Sequence, residues 1–299
     1  MPAKLIDGKA ISAQIREELK QRIAALQAKG ITPGLAVVLV GDNPASKVYV
    51  GMKEKTCGEL GLYSDSYRLS AETGQAELLE LVQKLNSDSR IHGILVQLPL
   101  PSQINEAEII NAVSPEKDVD GFHPLNLGRL VIGLEGFRPC TPAGVQEMLI
   151  RSGVELSGKH VVVVGRSNIV GKPLANMLMQ KAAGADATVT VAHSRTADLP
   201  AVVRSADVLI AAIGRAEMIP GDWIKPGAVV IDVGTNRVED PSKKRGYHLV
   251  GDVHFESAGQ VASMITPVPG GVGPMTIIML MANTVLSAER ALEKGSGAV

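Results

Sequence analysis

Residues 160–178 read HVVVVGRSNIVGKPLANML, and no other stretch restricts the possible folds so sharply. Residues 161–164 are four consecutive valines, a β-branched run without polar alternation. That is the pattern of a strand covered on both faces within a parallel sheet. Gly165 ends the run, Arg166, Ser167 and Asn168 supply turn and cap chemistry, and residues 171–178 read as a helix with Pro173 tolerated in its first turn. A buried strand, a glycine turn and a helix N-terminus leave unpaired N–H groups above a sheet edge, where a phosphate is commonly held. The spacing Gly165-x5-Gly171, with Ser167 at the second glycine position, departs from the G-x-G-x-x-G dinucleotide fingerprint. Taken alone, the segment fits both an ordinary βα turn and a nucleotide site.

The next strand favours the nucleotide. Residues 188–192 (TVTVA) lead into His193-Ser194-Arg195-Thr196, where NAD-binding folds place an Asp or Glu for the ribose hydroxyls. No acid is present there. Ser194 and Arg195, with Arg166 beside the first glycine, suit a ribose that carries an extra phosphate, because guanidinium offers a planar and permanently charged fork. These residues point to NADP rather than NAD, against the simpler alternative of solvated loop arginines.

Bulk composition narrows the function classes. The chain has 299 residues, room for two domains, with 45% hydrophobic and 20% charged residues. Thirty basic residues against 31 acidic ones give a formal net charge of -1, which removes an electrostatic case for nucleic acid as a partner. No apolar run reaches spanning length, since the longest, near residues 276–286, contains Asn283 and Thr284; no membrane partner is expected. The opening MPAKLIDGKA lacks a signal-peptide core, and Cys57 and Cys140 are two distant thiols, so a cytoplasmic protein is expected.

Along the chain, Ile11, Ile15, Leu19, Ile23 and Leu26 recur at helical steps over residues 7–29. Strands are expected at 35–40, 64–69 and 93–98, with helices at 45–60 and 74–85 between them, a β-α-β-α-β unit. Residues 118–142 are rich in glycine and proline and read as an irregular crossing between domains. A helix at 141–152 leads into the nucleotide half, whose later strands lie at 208–213 and 229–233. A long helix at 275–292 returns to the first domain, and the tail 295–299 reads as disordered.

Three further segments carry chemistry. Tyr49 and Lys53 are one helical turn apart and share a face, whereas Lys55 points elsewhere. An aromatic platform beside an amine can stack a flat heterocycle and exchange a proton with it, although a helical lysine is more often a solvated charge. Gln97 ends an apolar strand before Pro99 and can converge on the same crevice or serve as a satisfied buried amide. Lys117-Asp118-Val119-Asp120-Gly121 offers two carboxylates, too few for a metal loop; one of them suits the N–H groups of a heterocycle, and an Asx-turn is the plainer alternative. Residues 266–276 (TPVPGGVGPMT) hold three glycines and three prolines, a rigid bend before a helix start that lets backbone approach a ligand.

Taken in order, these segments closely resemble the bifunctional methylenetetrahydrofolate dehydrogenase/methenyltetrahydrofolate cyclohydrolase family. The motifs are Ser46-x-x-Tyr49-Val50-x-x-Lys53, Val96-Gln97-Leu98-Pro99-Leu100-Pro101, Lys117-Asp118-Val119-Asp120-Gly121, Gly165-Arg166-Ser167-x-x-Val170-Gly171-x-Pro173, Asp232-Val233-Gly234 and the run from Pro267 to Thr276. One departure is residues 181–186 (KAAGAD), which look slightly expanded before the second nucleotide strand. The resemblance implies an α/β fold of two domains with the active-site cleft between them. Residues 1–140 plus 275–299 would form a three-layer α/β folate-binding catalytic domain, and residues 141–274 a Rossmann-type NADP-binding domain.

It implies oxidation of 5,10-methylenetetrahydrofolate followed by hydrolysis to 10-formyltetrahydrofolate, with no metal. Lys53 would be the acid/base, Tyr49 a stacking surface, Gln97 an orienting group and Asp120 a holder of the pterin. Val96, Leu98, Pro269, Gly270, Gly271, Val272, Gly273 and Pro274 would line the substrate, and Gly165, Arg166, Ser167, Ser194, Arg195 and Thr235 the cofactor. A homodimer is also implied. Two competing functions stay open: a dehydrogenase without efficient cyclohydrolase, and a nucleotide-sensing regulator without turnover, which would need no proton-transfer group.

Overall fold

Apolar runs become strands and 3.6-residue repeats become helices through most of the chain, for which a computed structural model describes residues 2–243 and 246–296. A short strand β1 (Lys4–Leu5) precedes α1 (Gly8–Gln27), whose five periodic residues from Ile11 to Leu26 are all buried. The strand β2 (Gly34–Val40) is buried along its whole length, as its unbroken apolar sequence requires. It is followed by α2 (Pro44–Leu60), β3 (Tyr63–Leu69), α3 (Gln75–Ser87) and β4 (Gly93–Val96). Asn43 starts α2 by accepting the N–H groups of Ala45 and Ser46, with Pro44 at the first helical position. Two more helices come next, α4 (Glu106–Ala112) and α5 (Pro124–Val131). The latter corrects the expectation of an irregular stretch over 118–142. Pro124 occupies the first position of α5, and the His123 ring accepts the Leu125 N–H at 3.0 Å, so turn-forming residues serve as a helix cap.

The second half continues with α6 (Cys140–Arg151), β5 (His160–Val164), α7 (Gly171–Leu178), β6 (Thr188–Ala192), α8 (Leu199–Arg204) and β7 (Val208–Ala211). Then follow β8 (Val229–Asp232), β9 (Asn236–Glu239), β10 (Tyr247–Val250), α9 (Phe255–Gly259), β11 (Met264–Ile265) and α10 (Val272–Ser296). Gly295 and Ser296, expected in a disordered tail, continue α10, and residues 297–299 of that tail lie outside the described residues.

The chain divides into two units. One comprises Gln14–Cys140 with Ile277–Val299 and holds a three-stranded sheet in the order β3-β2-β4, parallel throughout. Its core gathers Val38, Leu78, Val82, Ile94 and Ile109 between sheet and helices. The other comprises Met1–Ala13 with Thr141–Thr276 and holds a six-stranded parallel sheet in the order β1-β11-β8-β7-β5-β6, with β9 and β10 as an antiparallel pair beside it. Residues 2–13 group with the larger sheet. The reason is β1, which adds a parallel edge to β11 with Lys4 opposite Met264.

Residues Val272–Lys294 of α10 form a helix long and apolar enough to cross a membrane, with a mean hydropathy of 1.3. This corrects the expectation that no stretch reaches that length. Of its most apolar 18-residue stretch, 61% is buried within the protein, as in the core helix of a globular fold. The departure at residues 181–186 lies before the N-terminal end of β6, at the opposite end of that strand from Ser194 and Arg195.

Candidate active site

In the three-stranded unit the chain order reverses around β2, which lies between β3 and β4; ligands of open α/β sheets bind at the carboxyl ends of strands at such a point. Two of the site residues meet there. Gln97 follows β4, and its backbone N–H extends the ladder to the Val38 carbonyl at 2.8 Å. Its side-chain Nε2 donates to the Leu98 carbonyl at 2.8 Å, which fixes the amide so that Oε1 accepts a hydrogen bond from Lys53 Nζ at 2.9 Å. Lys53 is only 7% exposed, whereas the Lys55 side chain is 77% exposed and faces Glu59 at 3.7 Å. Tyr49, one turn before Lys53 on α2, keeps 37% of its surface open. Val96 and Leu98 flank Gln97 and are half-buried.

The two candidate carboxylates separate. Asp118 accepts the N–H groups of Phe122 and His123 at 3.1 and 2.9 Å and the Asn126 amide at 2.8 Å. It is consumed in building the turn, and burial pushes its carboxyl up to about 6 against those donors. Asp120 faces Lys53 and the Cys140 thiol instead. Part of its surface stays open, yet burial raises its carboxyl above the ordinary range, with the Lys53 charge and the thiol hydrogen bond drawing it back. Gly121 adopts φ 77, and a Cβ there would meet Pro139 N at 2.6 Å.

Two residues of this cluster are not among the sequence-predicted site residues. Cys140 is buried, its thiol pushed well above its ordinary value by desolvation and by Asp120, and it donates to the Val119 carbonyl at 3.3 Å. Asn283, on α10, donates to the carbonyls of Val119 at 2.8 Å and Arg138 at 3.0 Å. An amide inside an apolar helix was the available clue, since buried polar groups are found with partners.

In the six-stranded unit, β5, β7 and β8 end in register, Val164 opposite Ala211 and Ala211 opposite Asp232. Here the strand order reverses around β5. Gly165, at φ 142, donates to the Ala192 carbonyl at 2.8 Å, and a Cβ on it would collide with the Ala212 carbonyl. A Cβ on Gly171 would meet the Gly165 carbonyl carbon at 2.6 Å and the Arg166 nitrogen at 2.9 Å. Both glycines are therefore dictated by close backbone approach between strand end and helix start. Ser167 accepts the N–H groups of Val170 and Gly171 at 3.1 and 3.4 Å, so its hydroxyl shapes the turn.

Arg166, Ser194 and Arg195 are exposed at the ends of the neighbouring strands β5 and β6, and the two arginines make no ion pair among the described residues. Thr235 is exposed after β8. In the loop before α10, the fully buried Thr266 accepts the Asp232 N–H at 2.8 Å. Gly270 adopts φ 109, and Gly271 and Val272 are buried while Pro269 and Gly273 are exposed and Pro274 half-buried.

Chemically, the first cluster can hold a flat heterocycle on an aromatic shelf, accept its N–H groups at a carboxylate and move a proton through an oriented amine. The second offers backbone N–H groups at a helix start and free guanidinium groups, a setting for phosphates.

Comparison with known proteins finds matches along both halves of the chain. The family model described as "Tetrahydrofolate dehydrogenase/cyclohydrolase, catalytic domain" matches residues 6–120, and "Tetrahydrofolate dehydrogenase/cyclohydrolase, NAD(P)-binding domain" matches residues 139–292. "Bifunctional protein FolD" of Geotalea daltonii is 64% identical over 288 residues, 96% of this chain and 99% of that protein. Among solved structures, the bifunctional FolD enzyme of Campylobacter jejuni is 50% identical with a TM-score of 0.91, over 97% of this chain and 99% of its own. The Trypanosoma brucei methylenetetrahydrofolate dehydrogenase-cyclohydrolase, complexed with NADP cofactor and inhibitor, is 44% identical with a TM-score of 0.92, over 98% and 99%.

Proposed function

The chain belongs to the tetrahydrofolate dehydrogenase/cyclohydrolase family, and from that premise we propose that it is a bifunctional enzyme of folate one-carbon metabolism. It oxidises 5,10-methylenetetrahydrofolate to the 5,10-methenyl cation and then hydrolyses that cation to 10-formyltetrahydrofolate. The observation that carries the catalytic assignment is the bond from buried Lys53 Nζ to Gln97 Oε1, beside the exposed ring of Tyr49. In this reading Tyr49 stacks on the folate, Asp120 accepts N–H groups of its pterin, and Gln97 aims the amine. Val96 and Leu98 line the same pocket. In the hydrolysis, Lys53 takes a proton from water as its oxygen bonds to the methenyl carbon and returns one to the ring nitrogen as the carbon–nitrogen bond breaks, while the remaining hydroxyl proton leaves to solvent as the formyl carbonyl forms. A positioned acid/base of this kind contributes about 10²–10⁴-fold in rate.

NADP supplies the hydride acceptor for the first step. The residues present fit it, because Gly165 and Gly171 leave a bare-backbone cradle at a helix N-terminus. Arg166, Ser194 and Arg195 would hold its ribose phosphate, and Ser167 and Thr235 would hold other parts of the cofactor. Initial rates with the two nicotinamides test this, and a higher kcat/KM with NAD refutes it.

The enzyme acts as a homodimer in this proposal. The edge strand β6 with Val191 42% exposed supports it, as do the closed symmetric assemblies common among soluble enzymes. A stable monomer in sedimentation at micromolar concentration refutes it. Cytoplasmic location accords with the two thiols being free and buried.

The deciding experiment follows the methenylfolate absorbance band with methylenetetrahydrofolate and NADP. A transient band supports both activities, a stable one a dehydrogenase alone, and no band refutes turnover. Lys53→Met should abolish methenyl hydrolysis and retain NADP binding, while Lys55→Met stays close to the parent.

A further inference from the structure

We propose that Asp252 is a positioning residue for the cofactor, a buried carboxylate that holds the loops after β7 and β8 in the shape that receives the nicotinamide half of NADP. The inference rests on the NADP reading above. It starts from an unusual set of donors. Asp252 is fully buried and follows β10. Its Oδ2 accepts the N–H groups of Ile213 at 2.6 Å and Gly214 at 2.9 Å, and its Oδ1 accepts the Arg215 N–H and the Asn236 amide, each at 2.9 Å. Three successive peptide N–H groups form a concave nest that takes anions. Here a side chain of the same chain fills it, directly beyond the carboxyl end of β7.

A second carboxylate completes the brace. Asp232, the last residue of β8, accepts the N–H groups of Gly234 and Asp252 at 2.9 Å and of Val253 at 2.8 Å. Two glycines are required by this packing: a Cβ on Gly234 would collide with the Asp252 carboxylate, and one on Gly251 with that of Asp232. The exposed Thr235 is therefore bracketed, with the Gly234 N–H anchored on one side and the Asn236 amide on the other. The ribose-phosphate residues stand at the ends of β5 and β6, on one side of the point where strand order reverses. β7 and β8 lie on the other side, where the remaining half of a dinucleotide extends. Asp252 acts through the loops it holds.

A carboxylate suits four donors because it presents only acceptors. Asp252→Asn keeps the shape but turns an NH₂ toward either the Ile213 and Gly214 pair or the Arg215 and Asn236 pair. The test is calorimetric titration of the full-length parent and Asp252→Asn with NADP, alongside methenyl hydrolysis assayed without nucleotide. The expected result is NADP binding weakened about tenfold or more, as for a buried donor left unmatched. Methenyl hydrolysis should stay within about twofold, and the dehydrogenase should lose more in KM for NADP than in kcat. Asn236→Ala, which spares the three backbone bonds, should shift NADP binding in the same direction by a few-fold and carries the test if Asp252→Asn does not fold. Parental NADP affinity in the folded variants overturns the proposal, as does a parallel fall of hydrolysis and binding, which marks general support of the fold. A parent that takes up no NADP refutes the cofactor reading itself and the brace with it.

Discussion

Replacing Gln97 with leucine separates the orientation of Lys53 from its presence. Leucine keeps the bulk and the backbone N–H bond to Val38, and removes two side-chain bonds: Nε2 to the Leu98 carbonyl at 2.8 Å and Lys53 Nζ to Oε1 at 2.9 Å. The second matters more, since Lys53 is 7% exposed and little water can replace the lost acceptor. Hydrogen bonds to charged groups are worth about 1.5–3 kcal/mol and neutral ones about 1 kcal/mol. If the 1.5–3 kcal/mol share is lost from the transition state of hydrolysis, the rate falls roughly 10- to 150-fold, at about 1.36 kcal/mol per decade. The assay is the initial disappearance of methenylfolate absorbance in the parent, Gln97→Leu, Lys53→Met and the double variant. Because Gln97 acts through Lys53, the double variant should be no slower than Lys53→Met alone. NADP affinity should be unchanged in all four. Hydrolysis by Gln97→Leu within twofold of the parent, or losses that multiply in the double variant, would refute the reasoning.

Three further outcomes are expected. Gly171→Ala pushes a methyl group onto the Gly165 carbonyl carbon at 2.6 Å. It should cost about 1–3 kcal/mol of overpacking and weaken NADP binding in calorimetry, while methenyl hydrolysis persists. Asn283→Leu leaves the Val119 and Arg138 carbonyls without their amide donor and should lower stability by about 1–3 kcal/mol, read from the urea midpoint; an unchanged midpoint counts against the clamp. Burial, with Asp252 adding to it, pushes the Asp232 carboxyl up to about 7 against three backbone N–H donors. The folded chain then binds this proton more tightly than the unfolded chain. The associated stability is fully present below the ordinary carboxylate range and is lost as pH rises through about 7. Urea titrations between about pH 4 and pH 8 should show that slope in the parent and a flatter one in Asp232→Asn.

The sequence alone determined the parallel α/β character and pointed to a phosphate-bearing cofactor, because those depend on local pattern. The valine run at 161–164 and the apolar 35–40 have no polar face and can only be strands covered on both sides. Helical spacing alone set Lys53 on the Tyr49 face and Lys55 off it, and the absence of an acid after TVTVA pointed to the extra phosphate.

What escaped was mostly decided by chain segments far apart. Asp118 and Asp120 are equivalent in sequence. Only folding turns one toward Asn126 and its own loop, and the other toward Lys53 and Cys140. The capture of residues 4–5 by β11 depends on a pairing across some 260 residues, and the helix α5 hid behind the turn residues that cap it. The Asp252 carboxylate is an ordinary acid in sequence and acquires its four donors only when the ends of β7, β8 and β10 are brought together. Periodicity records which face of an element is buried. Which polar group meets which donor is a property of long-range contacts, and those exist only once the backbone has closed around them.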